Sequence, residues 1–363
     1  MAQGSGVISA SGGELLLRRY DDVAAVLRSD GWSSDPRRNA NASPEVHHVP
    51  STVLLFMDPP DHARLRKLVR PPFTALSIDT LAPRIAAIID AALDELSTIG
   101  GDFDLIAEFA RIVPLAVVSE MFDLGVDGAR LVDEHIPALV GMLQVDADDR
   151  QLAASIDAAF ELSTFLTPLI AARRRHPGDD ALSALVRQPG ITAQEVLATC
   201  IIVLAAGLES VSNAIANATL ALLQNPDQIP QLLNDPVSAV EELVRHSGPV
   251  KLIRRVADRD HTVGGHRIRA GDSVLCDLRS ANWDPSRFTD PERLDLGRKA
   301  KGHLAFSSGA HFCLGTALAK VEVTEAVCSL FERYPGLMLK DTTPQWRASR
   351  STHALEHLTV SLC

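Results

Sequence analysis

The sequence predicts a mainly α protein with small β-sheets, and three observations carry that prediction. First, Thr192 and Glu195 form a capping-box pair, and no breaker follows until Asn225-Pro226. That stretch reads as one helix of roughly thirty residues, about 50 Å long. Second, apolar residues recur at helical spacing over 79–96, 104–122, 132–143 and 151–174. Third, the pattern changes at 250–280 and again at 337–362 to short apolar segments punctuated by glycine, which is how small strands read.

Taken in order, 14–20 (ELLLRRY) reads as a short strand, and Asp21-Asp22 open a helix through Leu27. Residues 30–55 are polar and carry Pro36, Pro44 and Pro50, the signature of a long loop, a kind usually functional or mobile. Asp58-Pro59-Pro60-Asp61 caps a basic helix, 62–70, with His62, Arg64, Arg66, Lys67 and Arg70 on it, and Pro71-Pro72 stops it. Within the long helix, 196–206 is apolar on every face except at Thr199, which predicts deep burial. That run is too short to cross a bilayer, which takes about 20 residues. Gly207-Leu208-Glu209-Ser210 then breaks the pattern: glycine weakens a helix by about 1 kcal/mol, and a carboxylate is costly in a buried segment.

Asp235-Pro236 starts a helix ending near His246, with Glu242 and Arg245 three residues apart. Strands follow at 251–257, 267–268 and 273–278 around a Gly264-Gly265 turn, and an irregular stretch containing Arg293 leads into 306–315. No internal repeat is visible, so 1–363 reads as a single domain, with a β-rich N-terminal portion over roughly 1–60.

Hydrophobic residues are 46% and charged ones 22%, which excludes a wholly disordered chain, and a net charge of −11 argues against general nucleic-acid binding. Five cysteines, Cys200, Cys276, Cys313, Cys328 and Cys363, are odd in number and widely spaced, so they read as reduced thiols of a cytoplasmic protein. Residues 1–13 have no charged start followed by an apolar core, so neither a secretory signal nor a membrane anchor is expected.

The segment Phe306-Ser307-Ser308-Gly309-Ala310-His311-Phe312-Cys313-Leu314-Gly315 delivers one cysteine to the start of a helix that runs to Tyr334. Free amides and the positive end of the helix dipole favour a thiolate there, although a buried structural cysteine fits the same position. Glu242 and Arg245, read alone, are an exposed bridge worth a few tenths of a kcal/mol, with Arg293 as a possible third partner. His62 and Arg66, four apart, suit two donors aimed at one anion, or simply a solvated basic face.

The order of these features resembles the cytochrome P450 superfamily, in its bacterial soluble branch. The match rests on Glu-x-x-Arg at 242–245, Pro-Glu-Arg-Leu at 291–294 and Phe-x-x-Gly-x-x-x-Cys-x-Gly at 306–315. Met57-Asp58-Pro59-Pro60-Asp61-His62, Ala206-Gly207-Leu208-Glu209-Ser210 and Ala281-Asn282-Trp283-Asp284-Pro285 agree with it upstream and between. The resemblance implies a triangular-prism fold with a long central helix over haem b, and Cys313 as the thiolate ligand of its iron. It further implies that Phe306, Gly309 and Gly315 shape the ligand loop. His62, Arg66, Arg255 and His311 would hold the propionates, Ala206 and Gly207 would leave room for oxygen, and Glu209 with Ser210 would relay protons. Glu242, Arg245 and Arg293 would be the family's structural triad. The implied activity is insertion of one oxygen atom from O2 into an apolar organic substrate.

Electrons would come from a separate ferredoxin and ferredoxin reductase, because the chain shows neither a dinucleotide fingerprint nor an iron–sulfur cysteine cluster. The basic helix with Arg64, Lys67 and Arg70 is the expected docking face. A haem-thiolate sensor without turnover, or a peroxide-driven or coupling enzyme, would use the same cysteine. Three departures from the family pattern stand out: Ser210 where threonine is commoner, Ser307 where glycine is commoner, and only about a dozen residues before the first strand. The last predicts an exposed sheet edge.

Overall fold

The computed structural model describes residues 7–9, 14–340 and 343–362, so most of the 1–13 segment read above for targeting signals lies outside the described residues. Strand β1 (Val7–Ser9) pairs antiparallel with β2 (Leu15–Leu17), and α1 (Tyr20–Arg28) and β3 (Trp32–Ser33) follow. The edge expected to lie open beside the first strand is therefore covered by β1. Among the described residues of the first sixty, these short strands are the β-structure and helical segments and turns make up much of the remainder, which corrects the β-rich reading. The loop at 30–55 is likewise built from turns, at Pro36–Arg38, Pro44–His48 and Leu54–Phe56, two of them capped by Asp35 and Ser43 side chains.

The helical body begins with α2 (Asp61–Val69) and α3 (Ala75–Leu96). The helix expected over 104–122 is divided. Its first residue belongs to β4 (Asp102–Asp104), a π-turn spans Ile106–Ala110, and α4 (Ile112–Phe122) completes it. The division has a local cause: the Asp104 carboxylate accepts from the amides of Ile106 and Leu358, tying the helix start to the C-terminal sheet. Next come α5 (Gly125–Leu139), α6 (Asp149–Arg175), α7 (Ala181–Val186) and the long helix α8 (Ala193–Gln224), whose capping box is formed as predicted.

Helix α8 joins two apolar cores. Val196, Leu204, Ala205 and Leu208 pack with α2, α5 and α6, whereas Val211, Ile215 and Leu222 pack with α3, α4 and the helices that follow. By length and composition α6 and α8 are apolar enough to cross a membrane, and most of that window in α8 is buried inside the protein. After α8 come α9 (Ile229–Asn234) and α10 (Pro236–Ser247), then β5 (Leu252–Ala257), the hairpin β6 (His261–Val263) and β7 (His266–Ile268), β8 (Ser273–Asp277), and α11 (Leu278–Asn282). Helix α12 (Thr316–Arg333), β9 (Met338–Leu339) and β10 (Thr359–Ser361) complete the chain. Strands β1-β2-β8-β5-β3 form one sheet, in which only β2 and β8 are parallel, and β4-β10-β9 form a second.

Glu242 and Arg245 are not an exposed bridge. Both side chains are fully buried, with Arg245 Nε 2.6 Å from Glu242 Oε2. The third partner is Arg298, whose Nε lies 3.0 Å from Glu242 Oε1, and not Arg293. Between Asp290, which turns the chain at φ 46°, and Arg298, the apolar side chains of Leu294 and Leu296 point inward. That leaves Arg293 exposed, with its carbonyl accepting from Arg298 Nη2. Removing one member of a buried charge network costs about 3–5 kcal/mol, whereas a surface change costs within about 0.5. Arg298→Ala is thus expected to lower unfolding free energy by several kcal/mol and Arg293→Ala to leave it nearly unchanged, measured by chemical denaturation.

Candidate functional site

Cys313 lies between a 3-10 turn at Gly309–His311 and the first turn of α12. Its N–H donates to the Phe306 carbonyl at 2.9 Å, closing the loop on itself. Gly309 is the residue the loop cannot exchange. Its φ is +71°, and a Cβ there would lie 2.1 Å from the Leu27 carbonyl oxygen at the end of α1. The Thr316 hydroxyl donates to the Cys313 carbonyl at 2.9 Å, tying the first turn of α12 to the loop, and Arg66 is nearby. Cys313 is exposed at the mouth of the loop, yet desolvation by the protein packed around it outweighs the positive helix start and the charge of Arg66 and raises the thiol pKa. A bound cation would reverse that balance, since a coordinating thiol is deprotonated outright.

Around this loop gather the four basic residues. His62 and His311 stack with ring centroids 4.0 Å apart, and Arg66 donates to the carbonyl of Phe312. Arg255 is 8% exposed and donates to the carbonyl of its neighbour Arg254. Burial together with the charges of Arg255, His62 and Arg66 pushes His311 down to about 2, and His62 and Arg66 are also lowered, by burial first. Asp58, the nearby carboxylate, is taken up by Ser33, the Ser34 amide and Arg38. His62 Nε2 is a buried nitrogen without a partner. A site with four basic side chains, an orphaned ring nitrogen and no free counter-charge suits a ligand with two carboxylates, so the donor set fits the propionates of haem. What read as a solvated basic face is mostly buried at His62 and directed into the protein.

On α8, Ala206 is exposed and an added Cβ at Gly207 would meet nothing within 4 Å, so this stretch of helix faces open space. That departs from the expected burial of 196–206, which ends at Ala205. Helix α8 stays continuous through Gly207, and Ser210 Oγ donates to the Ala206 carbonyl at 2.6 Å. Leu314, beside Cys313, packs on the same cluster as Leu204, Ala205 and Leu208, which brings the cysteine loop against this part of α8.

Glu209 is a partly buried carboxylate, 22% exposed at its side chain. It is paired with Arg347 at 3.3 Å, a residue that sequence reasoning missed because it lies 138 positions away in an irregular segment. Burial raises the Glu209 pKa and Arg347 opposes the rise. A cavity of about 350 Å³ reaches this pair along the flank of α8, and the Arg111–Asp133 ion pair also lines it. Gly315 sits at the start of α12 with no close neighbour to an added Cβ. Elsewhere Ser351 Oγ accepts from the Val145 amide, Arg254 donates to the Val145 carbonyl, and Val49, Val53 and Ile202 pack together with Phe56 and Leu143.

A cysteine presented by a helix-start loop, a basic cradle beside it and a long helix open at an alanine–glycine pair define a haem-thiolate protein. Residues 237–361 match the cytochrome P450 family model. Cytochrome P450 107B1 of Saccharopolyspora erythraea is 38% identical over 95% of this chain and 88% of its own length, and nocardicin C N-oxygenase of Nocardia uniformis subsp. tsuyamanensis is 38% identical over 92% and 85%. The solved structure of P450BioI in complex with a hexadec-9Z-enoic acid ligated acyl carrier protein superposes with a TM-score of 0.92 at 29% identity, covering 99% of this chain and 95% of that one. The chain belongs to the cytochrome P450 family. It is a haem-thiolate monooxygenase that takes a small-molecule substrate and electrons from a redox partner.

Ser307 adopts φ 62°, a left-handed conformation that glycine tolerates and serine does not, and its Oγ is buried without a partner. Ser307→Gly is expected to raise stability by about 1 kcal/mol, the strain and the orphaned hydroxyl being relieved at once. Gly309→Ala is expected to lower it by at least about 3 kcal/mol. Thermal melts of the two variants check both.

Proposed function

We propose that Cys313 provides the thiolate that holds haem iron, that His62, Arg66, Arg255 and His311 hold its propionates, and that Glu209 and Ser210 deliver protons to the oxygen side. The single observation carrying this reading is the meeting of an unpaired basic cluster with a helix-start cysteine in one place. Haem, when bound, supplies the binding and activation of dioxygen. The protein's part is orientation and proton supply. The Thr316 hydroxyl holds the Cys313 carbonyl and the Phe306 carbonyl holds its amide, so the backbone that carries the sulfur is fixed from both sides.

On the other side, Ser210 is held by its own donated hydrogen bond to Ala206, which leaves the oxygen lone pairs as acceptors. Glu209 reaches solvent through the cavity on the flank of α8, with Arg347 fixing its carboxylate. The substrate is an apolar organic molecule that meets the open stretch of α8 at Ala206 and Gly207. We place the enzyme in the reducing cytoplasm, as the free Cys200, Cys276, Cys313 and Cys328 support. Ligand-induced shifts of the haem absorption band across a compound library test the substrate class, apolar compounds being expected to shift it and charged ones not.

The electron donor is an acidic ferredoxin docking on α2. Arg64 is occupied by Glu195, which leaves exposed Lys67 and Arg70 as the docking charges. Reversing both to Glu is expected to slow reduction by ferredoxin about tenfold or more at low ionic strength and much less at high salt, followed by stopped-flow absorbance.

Two variants test the centre itself. Cys313→Ala is expected to abolish the thiolate-type spectrum of the reduced carbon monoxide complex, and its retention overturns the assignment. Ser210→Ala is expected to increase peroxide release per reducing equivalent, the direction that loss of a proton-relay hydroxyl dictates, and unchanged coupling in the turnover assay removes Ser210 from the relay.

A further inference from the structure

A second charged cluster stands behind the cysteine loop and takes no part in the site as described. Glu241 on α10 accepts from His303 Nε2 at 3.0 Å and forms an ion pair with Lys320 on α12. His303 Nδ1 accepts from the Ala305 amide at 3.2 Å, so its proton is on Nε2 and the ring is a neutral donor with a fixed tautomer. The His303 side chain is 4% exposed, whereas Glu241 and Lys320 are about one-quarter to one-third exposed.

Both groups that bind Glu241 also touch Phe306. The Lys320 ammonium lies 5.5 Å from the ring centroid, within cation–π range, and the His303 ring centroid is 5.8 Å away. Phe306 in turn accepts the Cys313 amide proton through its carbonyl at 2.9 Å. Three separate elements, α10, the 303–306 segment and α12, thus converge on the one residue that closes the cysteine loop. His303 and Lys320 hold opposite sides of a single carboxylate, so neither moves without the other. The two charged members also cancel: with Glu241 and Lys320 both present, Phe306 faces a near-neutral pair.

We propose that Glu241, His303 and Lys320 are positioning residues for Phe306, and that their balanced charge sets how strongly the Cys313 thiolate donates to the iron. The proposal rests on the haem-thiolate reading of Cys313 and deepens it. A purely mechanical brace and a charge-balancing one differ in sign. Lys320→Met leaves the Glu241 carboxylate uncompensated beside the loop, which favours the more positive ferric state and makes reduction harder. Glu241→Gln leaves the ammonium uncompensated and makes reduction easier.

The experiment is a spectroelectrochemical titration of the haem-loaded wild type, Lys320→Met, Glu241→Gln and Lys320→Arg, together with the rate at which each reduced carbon monoxide complex loses its thiolate-type band. At a fixed poise the ferrous-to-ferric ratio is expected to fall severalfold in Lys320→Met and rise severalfold in Glu241→Gln. Lys320→Arg, which keeps the charge, is expected to stay near wild type. Shifts of the same sign in the Met and Gln variants, with faster loss of the thiolate band, overturn the charge-balancing role. No change in either readout overturns the brace altogether. A wild type that gives no thiolate-type band refutes the haem-thiolate reading instead, so the two failures are told apart by the wild-type spectrum alone.

Discussion

Glu242 and Arg245 are withdrawn from water completely, and a buried ion pair is tolerable only when its remaining atoms are also bonded. Here Arg245 Nη1 donates to the Asn282 carbonyl at 2.7 Å and Nη2 to the Pro291 carbonyl at 2.9 Å, while Glu242 Oε1 accepts from the Asp295 amide and Arg298. That saturation has a spatial consequence. Asn282, held through its backbone, offers Oδ1 to the Leu304 amide at 2.6 Å, two residues before Phe306, whose carbonyl takes the Cys313 amide. Hydrogen bonds joined by short covalent stretches at Asn282 and 304–306 therefore lead from the ion pair to the cysteine. Apolar packing alone, being non-directional, would hold this glycine- and serine-rich loop far less exactly in place.

The opposite constraint governs the basic cradle. In a chain of net charge −11, four basic side chains are gathered where burial first, and neighbouring positive charges second, lower the pKa of each of His62, Arg66 and His311. Such an arrangement costs folding free energy, which Asp58, shared with Ser33, the Ser34 amide and Arg38, offsets only in part at His62 and Arg255. On the proposed propionate role of His62, Arg66, Arg255 and His311, a dianionic ligand that binds only the folded chain would return that energy through mass action, linking cofactor affinity to fold stability. The cysteine follows the same logic, since its thiol is raised by desolvation and becomes a thiolate only with a cation to bind.

What was legible in the sequence was local. The capping box at Thr192 and Glu195, the proline stop after 62–70 and the cysteine loop are each written within a few residues, and each stands where it was expected. Contacts made by chain return were not legible. Arg293 and Arg298 are five residues apart in one irregular stretch, and only the turn at Asp290 and the inward Leu294 and Leu296 decide which of them reaches Glu242. Likewise Arg347 has no periodic context that points to Glu209, and the β1 strand cannot be read from a segment whose pairing partner supplies its order. The Glu241, His303 and Lys320 cluster escaped for the same reason, its members being drawn from three elements.

The departures from family pattern near the distal helix are less disruptive than the residue types suggest. Threonine at position 210 would restrict its rotamer through the extra methyl. Serine lacks the methyl, but its hydroxyl is anchored at 2.6 Å to the Ala206 carbonyl, so a hydrogen bond supplies the restriction that sterics would have given. Glu209 is anchored in the same sense by Arg347, a partner from the irregular segment at 346–353. That segment is itself fixed by stacking of Trp346 on His353 at 3.6 Å and by the Asn217 amide, which donates to the His353 carbonyl at 2.8 Å. Because Asn217 stands two turns beyond Glu209 on the same helix, α8 positions both Glu209 and the segment that carries its counter-ion. Glu209 and Ser210 are thus held in register by one rigid element, and Arg347 ties the 346–353 segment to it.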